Sequence, residues 1–290
     1  DFSAAVAACG GTTGIIIPPS ITFVIYGVAS GTSIGALFLA GTIPGILMVV
    51  AMSIVASIQC RRLGIGSTFP FSWREVGRAA VRSNLAFGAM VIILGGIYGG
   101  IFTATEAAAV AVAYCFLVGV LITREIKIKD LPRITKDSAD VVGLIAPVIA
   151  MAIALSQVLA VLGLPGMAVD AMLSISSNPN VLLFIILVIL LIAGMFMETT
   201  PVIILLTPML VPIAHSLGIH PVHFGVIVNV ALAIGFVTPP VGLNLFVASA
   251  ITGVSVTKIG YRSLWMIVAL LVTLILIAYV PWFSLVLIPG

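Results

Sequence analysis

After Asp1 the chain runs to Cys60 without one Asp, Glu, Lys, Arg or His. A water-soluble fold needs charge spread over its surface, whereas a helix in lipid excludes charge, because an ionised side chain in hydrocarbon is costly. The remaining sequence agrees: 62% of it is apolar and 7% charged, where a soluble domain carries about a quarter charged residues. At about 20 apolar residues per span, this is an all-α, polytopic membrane protein. A soluble enzyme is excluded, and a net charge of +3 without an extended basic face gives nucleic acid nothing to bind.

Charge also sets the topology. Ten of the twelve Lys and Arg lie between Arg61 and Lys136, and basic clusters stay on the cytoplasmic side. Residues 1–31 read as a helix interrupted at Pro18-Pro19, and 32–60 as an uninterrupted span. A basic cytoplasmic loop occupies 61–83. Two spans and a second cytoplasmic loop, Arg124 to Asp140, fill 84–140. Residues 141–180 cross outward in two pieces broken at Gly163 to Gly166, with Asp170 interfacial. A hairpin occupies 181–216, a second interrupted helix 217–255, and the last segment, 256–290, carries Lys258 and Arg262 on the cytoplasmic side before a final span of about 263–280. Trp265 and Trp282 suit the aromatic belts of its two ends. Cys9, Cys60 and Cys115 are spaced for neither disulfides nor zinc and read as small core residues. His215, His220 and His223 flank a turn and do not form a metal site. The chain opens at Asp1 with no basic leader, so no targeting signal can be read from it.

Two segments repeat one another. Gly14-Ile-Ile-Ile-Pro18-Pro19 and Gly235-Phe-Val-Thr-Pro239-Pro240 each place a Gly, three residues and Pro-Pro inside a charge-free helix. The intervening spans predict that the two cross the membrane in opposite directions, an inverted repeat of the kind found in secondary transporters. Pro-Pro removes two backbone donors, and the stranded carbonyls are tolerated at membrane depth only against protein or a cavity. Such oxygens suit a hard cation. Polar side chains cluster at both breaks: Thr12, Thr13 and Ser20 at the first, Thr238 and Asn244 at the second. Taken singly, a membrane Thr or Ser bonds back to its own helix.

Glu198 stands between the charge-free runs 181–197 and 199–257, followed by Thr199, Thr200 and Pro201. These residues predict an N-capped turn at the tip of the hairpin, where hydroxyls and free N–H groups converge. Glu198 reads either as a member of the site or as the cap alone. Glu106, after Thr103 and Thr105, reads as a helix cap.

The segments GIIIPPSITFVIYG (14–27), GGIYGGIFTATEAAA (95–109), GMFMETTPVIILLTPMLVP (194–212) and GFVTPPVGLNLFVASAITG (235–253) resemble, in order, those of the large membrane (M) subunit of tripartite ATP-independent periplasmic (TRAP) transporters of the dicarboxylate and sialic acid type. The resemblance implies an elevator-type transporter of the bacterial inner membrane. The broken helices and a re-entrant hairpin would form a transport domain, and 32–60, 84–140 and 256–290 the scaffold. It implies Na⁺ as coupling ion with no other cofactor. Partners would be a periplasmic substrate-binding protein and a small membrane (Q) subunit, separate or fused. One sodium site would use carbonyls of Gly14, Ile17 and Pro19. A second would use Gly194, Gly235 and Thr238. Thr12, Thr13, Ser20, Glu198, Thr199, Thr200 and Asn244 become candidates for substrate or hairpin-tip contacts. Against the family pattern the chain starts after a first hairpin and the helices before it, so a longer functional protein is expected, with roughly its C-terminal two thirds here.

The implied function is Na⁺-coupled uptake of an organic anion, a carboxylate such as a dicarboxylate or sialic acid, handed over by the binding protein. The alternatives are a Na⁺/dicarboxylate symporter needing no binding protein and a passive channel, since broken helices also build selectivity filters. An intramembrane enzyme lacks a visible partner base for Glu198.

Overall fold

The computed structural model describes residues 1–65 and 72–288, and among them every regular element is helical. In chain order these are α1 (Phe2–Ile16), α2 (Ile21–Ser30), α3 (Ile34–Arg62), α4 (Trp73–Arg82), α5 (Asn84–Tyr98) and α6 (Ala104–Leu117), which runs into a π turn at Val118–Ile122. A short 3₁₀ turn at Ile128–Asp130 leads into α7 (Leu131–Val161), followed by α8 (Leu164–Ile175), α9 (Pro179–Phe196), α10 (Thr199–Ser216), α11 (Pro221–Gly235), α12 (Leu243–Thr252), α13 (Val256–Tyr279) and α14 (Trp282–Leu285). α3, α6 with its π turn, the stretch Ile128–Val161, α9, α10 and α13 are long and apolar enough to cross a membrane, and α1 with α2 form a pair bent by 42°. The chain is a multi-pass membrane protein.

Two compact units divide the helices: Asp1–Gly64 with Ile149–Gly290, and Ile65–Val148. In the larger unit α11 is the hub. Apart from His223 and Asn229 it is apolar all round, and every residue from Val222 to Gly235 is buried, under α1, α3, α9, α10 and α13. In lipid the hydrophobic effect does not drive such packing, so close contact through small residues has to. In the smaller unit α5 packs on α6, with the Tyr114 hydroxyl donating to the Leu85 carbonyl at 2.9 Å.

Local chemistry starts and stops the helices. Thr103 and Glu106 form a reciprocal cap on α6: the Thr103 N–H donates to the Glu106 carboxylate at 2.8 Å and the Glu106 N–H to the Thr103 hydroxyl at 3.3 Å, the role expected of Glu106. Asn178 caps α9 by accepting the Asn180 N–H at 2.9 Å. Arg61 and Arg62 close the last turn of α3, where the helix dipole favours cations.

Three segments depart from expectation. The loop assigned to 61–83 contains α4, whose Arg74 and Arg78 fall on one face and Trp73, Val76 and Ala80 on the other. α4 meets α5 at 62°. The second loop shrinks because α7 begins at Leu131. Pro132 suits the first turn of a helix, and Arg133, Lys136, Asp137 and Asp140 recur at helical spacing. Lys258 and Arg262 likewise lie inside α13. Charge marks where a segment stands relative to lipid and does not forbid a helix there. Cys9 is buried, but Cys115 is exposed on α6, so only the former is a core residue.

Candidate functional site

An α-helical carbonyl at position i needs the N–H at i+4. Pro18 and Pro19 therefore strand Gly14 and Ile15, and Pro239 and Pro240 strand Gly235 and Phe236. The structure breaks at both places, between α1 and α2 and between α11 and α12, and the Pro18–Pro19 and Pro239–Pro240 bonds are both cis. Repair is partial. The Ser20 hydroxyl donates to the Ile15 carbonyl at 2.5 Å. At the second break the Thr238 N–H donates to Gly235, and the Asn244 N–H to Phe236, both at 3.0 Å. Among the described residues no donor meets the carbonyls of Gly14, Ile17, Pro19, Gly194 or Thr238. Five of the six residues expected to supply ion ligands thus carry an unengaged oxygen, and Gly235 has one donor.

The two broken helices run in opposite directions. The Tyr26 hydroxyl of α2 donates to the Pro221 carbonyl at the start of α11 at 3.3 Å, whereas the Asn244 amide of α12 donates to the Ala8 carbonyl of α1 at 3.3 Å. One chain thus passes from the level of residue 8 to that of 26 as the other passes from 244 back to 221.

The hairpin of α9 and α10 is brought against the second break. Tyr279 donates to the Asn180 carbonyl at 2.8 Å, and its neighbour Ala278 lies 3.2 Å from His223 Nε2, so α9 and α11 begin at one level. They also end together. A Cβ added to Gly235 would lie 2.5 Å from the Gly194 carbonyl carbon and 2.6 Å from its Cα, and the Gly242 N–H donates to the Met195 carbonyl at 3.3 Å. The chain turns back into α10 at the depth of the break, as a re-entrant hairpin does.

The polar side chains divide. The hydroxyls of Thr12, Thr13 and Thr238 donate to Cys9, Gly10 and Ile234 carbonyls of their own helices at 2.5, 2.7 and 2.7 Å, the bland outcome for Thr in a membrane helix. Asn244 bridges the repeats. The Glu198 carboxylate accepts both the N–H and the hydroxyl of Thr200 at 3.1 Å and is exposed; it caps α10. Thr199 differs from all of these, for its hydroxyl is buried and has no partner among the described residues. Ser20 is 4% exposed and also caps α2, accepting the Phe23 N–H at 3.5 Å. Ser20→Ala strands the Ile15 carbonyl and removes that cap, and it is expected to cost about 2 kcal/mol, read as a lowered unfolding midpoint in detergent.

Sequence reasoning passed over Asn229. It is fully buried, its amide donates to the Gly225 carbonyl at 2.8 Å, and its side-chain oxygen has no partner among the described residues. It is the lone polar residue between Phe224 and Val237, which is the signal that marks it in the sequence. A cavity of about 330 Å³ between α2, α7 and α10, with Val28, Ile153 and Pro208 in its wall, contains none of the candidate residues.

The family model for the tripartite ATP-independent periplasmic transporter, DctM component, matches residues 1–283. A C4-dicarboxylate TRAP transporter large permease protein of Pseudomonas aeruginosa is 39% identical over 286 residues, covering 99% of this chain and 67% of that protein. A sialic acid TRAP transporter large permease protein of Vibrio cholerae is 38% identical, with 99% and 67% covered. An isethionate TRAP transporter permease protein, DctMQ, of Oleidesulfovibrio alaskensis is 38% identical, with 97% of this chain and 44% of that protein covered.

Proposed function

The chain belongs to the DctM component family of tripartite ATP-independent periplasmic transporters, a permease of the inner membrane and not an enzyme, and from that premise we propose that it imports an organic anion by Na⁺ symport. The relatives' names span C4-dicarboxylates, sialic acid and isethionate, whose shared chemistry is an organic anion, and a carboxylate such as a dicarboxylate or sialic acid is the proposed substrate. A periplasmic binding protein delivers it. A small membrane subunit completes the system, as a separate chain or fused, the latter suggested by the DctMQ relative.

The observation that carries this reading is the pairing of antiparallel breaks with unengaged carbonyls. Na⁺ prefers hard oxygen ligands, and broken helices in transporters supply them from unwound backbone. Gly14, Ile17 and Pro19 would hold one ion. Gly194, Gly235 and Thr238 would hold the other, next to the hairpin tip. With Na⁺ held by the neighbouring carbonyls, the added positive charge favours an anionic substrate at the tip N–H groups and the Thr199 hydroxyl.

Proteoliposomes containing the permease, its small subunit and its binding protein provide the test. Uptake against a concentration gradient is expected only with an inward Na⁺ gradient and only with the binding protein. Efficient uptake by the permease alone would point to a binding-protein-independent symporter, and ohmic currents to a channel. Thr238→Ala is expected to raise the Na⁺ concentration for half-maximal uptake by about fivefold, the loss of one oxygen ligand or of the bond that orients it. An unchanged Na⁺ response would count against the second site.

A further inference from the structure

A groove of about 790 Å³ lies between the end of α3 and the start of α13, and none of the candidate site residues lines it. Its floor is apolar, with Val55, Ile58 and Val268, and its mouth carries Arg62, Arg262 and Trp265. No acidic side chain lines it. Asp1, outside the lining, accepts from Arg262 Nε at 3.4 Å, and among the described residues both terminal guanidinium nitrogens of that arginine have no partner.

The arrangement is graded by depth. The arginines stand at the end of α3 that the basic cluster places at the cytoplasmic surface, Trp265 sits where an indole marks the interface, and the aliphatic residues continue toward the bilayer centre along two packed helices. A protein helix docked here would meet Arg62 with no acid beside it and Arg262 with only its Nε engaged by Asp1, unless it brought acid groups into the headgroup layer. A lipid with an anionic head and two acyl chains matches each level in turn, and basic pockets between membrane helices on the cytoplasmic side take such heads.

We propose that this groove binds an anionic phospholipid of the cytoplasmic leaflet. The phosphate lies between Arg62 and Arg262, each able to offer a planar pair of N–H donors. The glycerol lies beside Trp265, and an acyl chain follows Val55, Ile58 and Val268. The lipid thereby bridges α3 and α13 on the cytoplasmic side.

The test uses the intact permease in nanodiscs, with Trp73→Phe, Trp282→Phe and Phe at every tryptophan outside residues 1–290, so that Trp265 is the sole indole of the permease. Brominated phosphatidylglycerol is expected to quench Trp265 more strongly than brominated phosphatidylcholine at equal mole fraction. Arg62→Gln, which leaves the Asp1 contact intact, is expected to weaken that preference about fivefold, and Arg62→Gln with Arg262→Gln to abolish it. Lys129→Gln, outside the groove, is expected to leave it unchanged. Equal quenching by both lipids, an unaffected double variant, release of the quench by inorganic phosphate, or exclusion of both lipids when the small membrane subunit is present would each overturn the proposal. None of these readouts depends on transport.

Discussion

Gly235→Ala is expected to abolish uptake and to lower the unfolding midpoint, with a larger effect than any substitution considered above. The new methyl would stand 2.5 Å from the Gly194 carbonyl carbon, 2.6 Å from its Cα and 2.9 Å from its oxygen. Those atoms are backbone, so no side chain can rotate away and the helices α9 and α11 must part. Overpacking of this kind costs about 3 kcal/mol. A separation of about 1 Å at a positioned site can cost on the order of a hundredfold in rate. Here it would fall on the carbonyls of Gly194 and Gly235. Gly166→Ala is the control, because it lies in α8, outside both broken helices and the hairpin, and a Cβ there meets no heavy atom of the described residues within 4 Å. It is expected to leave the midpoint unchanged or slightly raised. Thermal unfolding followed in detergent, with Na⁺-driven uptake in proteoliposomes, reads both variants. A wild-type midpoint and rate for Gly235→Ala would mean that the close approach of hairpin and broken helix does not matter.

The breaks were legible in the sequence because proline chemistry is local: removing the N–H at 18, 19, 239 and 240 strands four named carbonyls whatever the rest of the chain does. The opposite directions of the repeats followed from counting spans between charge clusters, and Tyr26–Pro221 and Asn244–Ala8 agree with it. Helices α4 and the first turns of α7 were read as loop, because charge was taken to end a helix when it ends only the part that lipid can cover. Tertiary contact was the least legible. Nothing in GMFMETTP announces that Gly194 lies against Gly235, since a glycine's use appears only when another backbone arrives beside it. Side-chain roles were legible by type alone. Thr12, Thr13, Thr199 and Thr238 look alike in sequence, yet three of the hydroxyls are satisfied by their own helices and one is not. Asn229 was missed for the same reason, its unpartnered oxygen being a property of its surroundings.

That difference makes Thr199 the side chain whose change should separate stability from transport most cleanly. Thr199→Val keeps the shape and deletes a hydroxyl that is 1% exposed and bonded to nothing. No hydrogen bond is lost, so the substitution is expected to leave the unfolding midpoint equal or slightly higher, since a buried hydroxyl without a partner costs about 1 to 3 kcal/mol. A chain has reason to carry that cost at the hairpin tip if a bound species supplies the missing partner during transport. Uptake by Thr199→Val is accordingly expected to fall about tenfold, the worth of one hydrogen bond to a charged group, with most of the loss restored by Thr199→Ser. Glu198→Gln provides the contrast. Its carboxylate serves as the cap of α10, and an amide oxygen can still accept the Thr200 N–H, so a modest drop in midpoint without a tenfold loss of uptake is expected. Should Thr199→Val carry substrate at the wild-type rate and with the wild-type Na⁺ response, the tip hydroxyl has no part in binding, and the hairpin would act through its backbone alone.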